Sequence, residues 1–397
     1  MIPRQPLHPI SVKLLRQGHP WVTLDSFSRR FPVEANFIKG QDDRGMDVAI
    51  LLNDPGHKQV RGRLWTYERP WDEKQFWPEV KARLVNARNK RLTLPSFLER
   101  DDRFWVFGEA DAMPGFMLLQ LGDHFIVQFY ALAWKKWMNE LKALLLEIFP
   151  EITEKNLWQQ TRSEDGSGQK FPMTWNEDVR QEKFLVTEFG VKLWARLGEA
   201  YDYGLYPDMA AVRFAMKPFL AGKKRVLNLY SYTGALSLWA LQLGAEQVVS
   251  VDLSAKYLQW LDENLAANDS SWVERHRSLK MPTEEALHLL KQEGHQFDFI
   301  ISDPPSASSD GQKRSSALQS YEKQWELLTE LLAPEGQMLT FLNTHAVTPM
   351  KFEKHLQDLQ NESSRTLKIK ARLGLQDDCP TVKGFHEGNY LKGVLWG

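Results

Sequence analysis

R-V-L-N-L-Y-S-Y-T-G-A-L-S-L-W-A-L-Q-L-G-A-E-Q-V-V-S-V-D-L-S spans residues 225–254, and F-D-F-I-I-S-D-P-P follows at 297–305. A short apolar run, Val226 to Leu229, enters a small-residue turn that ends at Gly234. The spacing then predicts a helix and a second apolar strand, Val248 to Val251, closed by an acid, Asp252. This is the first half of a nucleotide-binding βαβ unit. The G-x-G-x-x-G of the dinucleotide version is missing, and those glycines are what let a backbone approach a pyrophosphate. One glycine remains, and Tyr230 and Tyr232 fill the turn. The pattern points to a ligand with adenosine but no phosphate, of which S-adenosylmethionine (SAM) is the common example.

Each residue around this turn has an expected task. Asp252 ends the second strand, where an acid accepts hydrogen bonds from ribose hydroxyls. Asn228, Tyr230, Ser231, Thr233 and Gly234 form the loop under the ligand, and Leu253 and Ser254 continue from the acid. Asp303-Pro304-Pro305 follows the strand Phe299 to Ser302. Its prolines stiffen the turn, so the Asp303 carboxylate and the Pro304 carbonyl can accept hydrogen bonds from a base edge. Ser306 stands next, where many amino-methyltransferases have an aromatic residue that stacks the target base. Upstream, Asp208 and Arg213 lie in Y-D-Y-G-L-Y-P-D-M-A-A-V-R. They either face each other across a helix start or form an ordinary cap and salt-bridge pair.

Three segments are expected. Residues 1–70 hold short β-like runs, Asp47 to Leu52 and Val60 to Thr66, split by N-D-P-G-H at 53–57. Residues 71–190 read as an α+β middle domain. It contains a helix from about Asp72 to Asn89, and strands Phe116–Leu121 and Phe125–Phe129 joined at Gly122-Asp123. A second helix, Trp134 to Ile148, puts Trp134, Trp137, Leu141, Leu144 and Ile148 on one face. The stretch S-E-D-G-S-G-Q at 163–169 reads as an exposed, mobile loop. A hairpin follows, with Phe184, Val186 and Glu188 alternating into Gly190. Over residues 191–397 strands and helices alternate, which predicts an open, mostly parallel α/β sheet with helices on both faces.

Composition sets the outer bounds. Among 397 residues, 43% are hydrophobic and 25% charged, enough for sizeable cores. A single cysteine excludes an internal disulfide and a cysteine zinc site. No run of about eighteen apolar residues occurs, so no membrane span is expected. The first residues lack a signal-peptide run, and a cytoplasmic protein is the default. Residues 1–70 carry eleven Lys/Arg against seven Asp/Glu, a basic bias suited to phosphates and equally to a solvated face. Most of the fifteen tryptophans, Trp134 and Trp239 among them, read as core.

Together these segments resemble the SAM-dependent large-subunit (23S) ribosomal RNA methyltransferases, in both their cytosine-5 and guanine-N7 branches. G-H-P-W-V at 18–22 resembles the start of that family's RNA-binding PUA β-barrel, and R-G-R-L-W-T at 61–66 and G-E-A-D-A-M-P-G at 108–115 resemble its bridges into a middle domain. G-L-Y-P-D-M-A-A-V-R at 204–213 is similar to a segment whose acid and arginine help hold the cofactor. S-Y-T-G at 231–234 and D-P-P at 303–305 match the SAM and target-base motifs, and E-G-N-Y-L-K-G at 387–393 the C-terminal strand. The resemblance implies a class I, Rossmann-like methyltransferase domain behind a PUA-like and a middle domain. It also implies SAM as cofactor and ribosomal RNA, single-stranded or locally opened, as partner. The oligomeric state stays open, with a homodimer among the options.

Two departures from the family shape the expected chemistry. Cytosine-5 members carry a cysteine in F-S-C-S, where this chain reads Phe341-Leu342-Asn343-Thr344. Cys379 falls elsewhere, in D-D-C-P-T. Cytosine C5 becomes nucleophilic only after a thiolate adds at C6. Asn343 resembles the guanine-N7 branch, whose ring nitrogen already exposes a lone pair. The expected reaction is therefore methylation at a base nitrogen, with Asp303, Pro304 and Asn343 as catalytic candidates. The second departure lies after the third strand, where S-L-K-M-P-T-E-E lacks the usual adenine-binding acid and Glu284 is the candidate after a small shift. The alternative is an RNA-binding assembly protein that kept the fold and lost catalysis. A nicotinamide oxidoreductase fits poorly without the phosphate-cradling glycines.

Overall fold

The computed structural model describes residues 2–161, 173–174, 183–197, 203–309 and 314–397. The loop expected at 163–169 lies outside them. The chain forms two compact units, one of residues 1–184, 196–203 and 377–385, the other of residues 185–195, 204–376 and 386–397.

The first unit carries two five-stranded sheets. In the first, spatial order is Arg4–Pro6, Phe37–Gln41, Asp47–Asn53, Val60–Thr66 and Trp21–Thr23. Both expected strands of residues 1–70 are present, and the N-D-P-G-H turn joins them. The second sheet holds Phe116–Leu121 and His124–Phe129, paired antiparallel from Phe116↔Phe129 to Leu121↔His124. The helix expected from Asp72 spans Phe76–Arg91 after a tight turn capped by the Asp72 carboxylate. The helix expected over 134–148 differs. Leu132–Trp137 forms a 3-10 turn, and the α-helix begins at Met138. Asp54 accounts for this, since its carboxylate takes the N–H groups of Leu132 (3.2 Å) and Ala133 (3.1 Å). The apolar face turns with it, burying Leu141 and Leu145 and leaving Leu144 and Ile148 at its margin. Phe37, Trp65, Trp71, Phe76 and Trp134 form one aromatic core, each burying a large area.

The second unit is built on a seven-stranded sheet. Its strands are β1 (Arg225–Leu229), β2 (Gln247–Asp252), β3 (His276–Lys280), β4 (Phe297–Ser302), β5 (Leu332–Asn343), β6 (Ile369–Gly374) and β7 (Leu391–Trp396). Its helices are α1 (Ala210–Leu220), α2 (Ala235–Gln242), α3 (Ala255–Ala266), α4 (Thr283–Gln292), α5 (Ala317–Glu330) and α6 (Pro349–Glu362). Spatial order is β3-β2-β1-β4-β5-β7-β6. The first five strands pair in parallel, and β7 runs antiparallel to both β5 and β6. Leu229, Val251, Ile300, Leu342 and Trp396 are buried in its core. Chain order reverses between β1 and β4, so the loops after them diverge and open a crevice at the strand ends.

Candidate active site

The crevice begins with a strained turn. Tyr230 (φ 58°) and Tyr232 (φ 52°) adopt the left-handed region, at about 1–3 kcal/mol each for non-glycine residues. Hydrogen bonds hold them there. The Tyr230 hydroxyl donates to Gln324 Oε1 on α5 at 3.0 Å, and the Tyr232 N–H donates to Asp252 Oδ2 at 2.9 Å. The Thr233 hydroxyl donates to the Gly204 carbonyl at 2.6 Å, while Asn264 of α3 donates to the Thr233 carbonyl at 2.8 Å. Gly234 has φ 87°, and a Cβ there would lie 2.4 Å from Leu261 Cγ, so only glycine lets α2 start against α3.

Asp252 is pinned at the end of β2. Its Oδ1 accepts from the Ser254 N–H at 2.8 Å, and of the carboxylate's roughly four acceptor sites at least one stays open. Burial raises its pKa against the opposing pull of the Ser254, Tyr232 and Leu253 N–H groups. Tyr232 packs against Tyr206 (5.3 Å) and Tyr257 (4.4 Å), forming an aromatic wall.

Across the crevice, Asp303 follows β4. Burial and the negative charge of Asp208 push its carboxyl up to about 7. Asp208 in turn accepts a 2.6 Å hydrogen bond from the Tyr390 hydroxyl. The ends of β4 and β5 are held together by buried Tyr321, whose single hydroxyl proton is shared between the carbonyls of Ser302 and Phe341, both at 2.8 Å. Asn343 ends β5, and its carbonyl accepts from the Ser306 hydroxyl.

These groups meet on one cavity of about 540 Å³, in the size range of small-molecule sites. Among the residues expected from sequence, Arg213, Tyr230, Ser231, Thr233, Asp252, Leu253, Asp303, Pro304 and Asn343 line it. Asn228 is buried beneath and donates to Ser237 Oγ at 2.8 Å instead. Gly234 shapes the turn, Ser254 caps α3 through the Tyr257 N–H (3.3 Å), and Asp208 acts through the charge of Asp303. Arg213 is buried and forks onto Glu188, with Nε 2.6 Å from Oε1. Pro282, Thr283 and Glu284 line the cavity at the start of α4, where the adenine-side residues were expected. Cys379 is buried in the first unit, whereas the cavity is lined by the second.

Sequence reading missed Glu188, Tyr321, Tyr390 and the tyrosine wall. Glu188 left a signal: a carboxylate in the register of Phe184 and Val186 needs a cationic partner once buried.

The family model for S-adenosylmethionine-dependent methyltransferases matches residues 159–387, more than half of the chain. The chain belongs to that family. The ribosomal RNA large subunit methyltransferase I of Tolumonas auensis is 27% identical over 390 residues, covering 96% of each chain. The protein of the same name from Klebsiella pneumoniae is 26% identical over 400 residues, covering 99% of this chain and 98% of its own. In fold the chain is similar to a methyltransferase crystallised with S-adenosylhomocysteine (TM-score 0.83, 18% identity, 100% of both chains).

As a SAM-dependent methyltransferase, the chain should hold polar groups that wait for this cofactor, and it does. Ser231 Oγ, which lines the cavity, is buried without a hydrogen-bond partner among the described residues. Orphaned polar atoms of this kind are costly unless a ligand or water reaches them. The open acceptor site of Asp252 suits a ribose hydroxyl, and the faces of Tyr206, Tyr232 and Tyr257 suit a cationic ligand. The residues present therefore fit SAM.

Proposed function

We propose that this methyltransferase modifies a base of large-subunit (23S) ribosomal RNA, at a ring nitrogen of the guanine-N7 kind rather than at cytosine C5. The relatives named as ribosomal RNA large subunit methyltransferases support the RNA class. The single observation that carries the choice of atom is the meeting of Asp252, Asp303-Pro304 and Asn343 on a cavity whose unit contains no cysteine. Without a thiolate to add at C6, cytosine C5 stays unreactive. A ring nitrogen needs only alignment and exclusion of water.

When bound, SAM supplies an electrophilic methyl group. Asp252 grips the ribose, with Thr283 and Glu284 on the adenine side. The Asp303 carboxylate and the Pro304 carbonyl accept from the base edge, and the stiff Pro304-Pro305 turn keeps both in place. Ionised Asp303 also offsets the positive charge that a ring nitrogen gains on methylation. Asn343 orients the base through its amide. A base reaches such a crevice only from a single-stranded or opened site. Residues 1–70 serve as the PUA-like RNA-binding domain, 71–190 as the middle domain and 191–397 as the catalytic domain, apart from the stretch 377–385 with Cys379, which belongs to the first unit.

The test is methyl transfer from SAM to an unmodified 23S ribosomal RNA transcript, followed by mass spectrometry of the nucleosides. A gain of 7-methylguanosine is expected. Gain of 5-methylcytidine would overturn the choice of atom, and SAM binding without any transfer would favour the RNA-binding assembly role.

A further inference from the structure

Charge is distributed unevenly around the cavity. Its charged lining is Asp252, Glu284 and Asp303 against Arg213 and Lys323. The Arg213 charge is matched by Glu188 in a buried pair. Lys323 differs. It is exposed on α5, on the same face as Ser320 and Gln324 at i−3 and i+1, and all three line the cavity. Gln324 is engaged with Tyr230. Among the described residues, no hydrogen bond or ion pair holds the Lys323 ammonium.

An anionic polymer meets this site with a mismatch. The carboxylates that suit a sugar, a base edge and a cationic cofactor repel a phosphodiester over roughly 8 Å at physiological salt. A nucleotide that hands its base into the cavity leaves its phosphates at the mouth, among the exposed residues Pro305, Ser306, Lys323 and Asn343. Among the exposed lining residues Lys323 is the one cation, with Glu284 at the start of α4 the one acid, and a lysine ammonium is a compact point charge suited to phosphate.

We propose that Lys323 holds a backbone phosphate of the target nucleotide and so sets the depth to which the base enters. This rests on the RNA reading above. The other oxyanion within the same chemistry is the methionine carboxylate of SAM, and the experiment separates the two.

The full-length wild-type, Lys323→Gln and Lys323→Arg proteins are compared. Calorimetry measures SAM affinity, and filter binding measures affinity for an unmodified 23S ribosomal RNA transcript between about 50 and 200 mM salt. Lys323→Gln should weaken RNA binding roughly tenfold at the low-salt end, lower the log–log salt slope by about one, and leave SAM affinity unchanged. Lys323→Arg should restore both RNA values. Weaker SAM binding with unchanged RNA binding would assign the ammonium to the cofactor and overturn the proposal, as would no change in either. If the wild-type protein itself neither binds nor methylates this RNA, the RNA reading fails first and Lys323 has no phosphate to hold.

Discussion

Asp208 and Asp303 oppose each other as like charges, an effect that adds to the larger effect of burial in raising the Asp303 carboxyl to about 7, while Tyr390 holds Asp208 in place at 2.6 Å. If ionised Asp303 receives the base, methyl transfer falls as pH drops below about 7. Asp208→Asn removes the opposing charge and keeps an acceptor for Tyr390. It should move the acid limb of the pH–rate profile to lower pH, read by single-turnover methyl transfer.

The same shift affects stability. The folded pKa of Asp303 lies above the unfolded value of about 3.9, so the folded state is favoured where Asp303 is protonated. That advantage is lost as pH rises through about 7. Asp303→Asn should therefore raise the melting temperature more at pH 8 than at pH 5, while abolishing transfer. An equal gain at both pH values would contradict the assignment.

Asp252 offers its open acceptor site to the ribose. Hydrogen bonds to a charged group contribute about 1.5–3 kcal/mol. Asp252→Ala should weaken SAM binding by roughly ten- to a hundredfold in calorimetry, with some added loss from releasing the Tyr232 and Ser254 N–H groups.

Gly234→Ala combines a left-handed backbone with a Cβ 2.4 Å from Leu261. The backbone term alone costs about 1–2 kcal/mol. Chemical denaturation should show at least that loss, and SAM binding should fall with it, because α2 can no longer start against α3.

In the first unit Asp378 is fully buried, paired with Arg100 and accepting from the Phe104 N–H at 2.7 Å. Removing one partner of a buried pair costs about 3–5 kcal/mol when the other charge is left alone, and Asp102, 3.6 Å from Arg100, keeps the loss at the lower end of that range. Asp378→Ala should unfold at correspondingly lower denaturant. Its neighbour offers the opposite test: Cys379→Ala should leave the rate of methyl transfer unchanged, and a large loss would reopen thiolate chemistry.

Legibility in the sequence followed periodicity. Strands β1, β2, β4 and β5 were readable because each is apolar and buried on both faces. Strands β3 and β6 were not. They are the sheet edges, and H-R-S-L-K and I-K-A-R-L-G are largely polar, as exposed edges tend to be. Asn228 was misplaced by one layer: its position on β1 was right, but Ser237 of α2 takes its side chain.

Local pattern alone determined the α/β sheet, the phosphate-free turn at 230–234, the acid at 252 and the absence of a placed cysteine, because each depends on neighbours a few residues away. The tertiary structure decided who faces whom. Glu188 reaches Arg213, Tyr390 reaches Asp208 across 182 positions of chain, and Lys323 stands at the cavity mouth. Such partnerships arise when burial removes water and makes every charge find its counterpart, and no period in the sequence records which counterpart that will be.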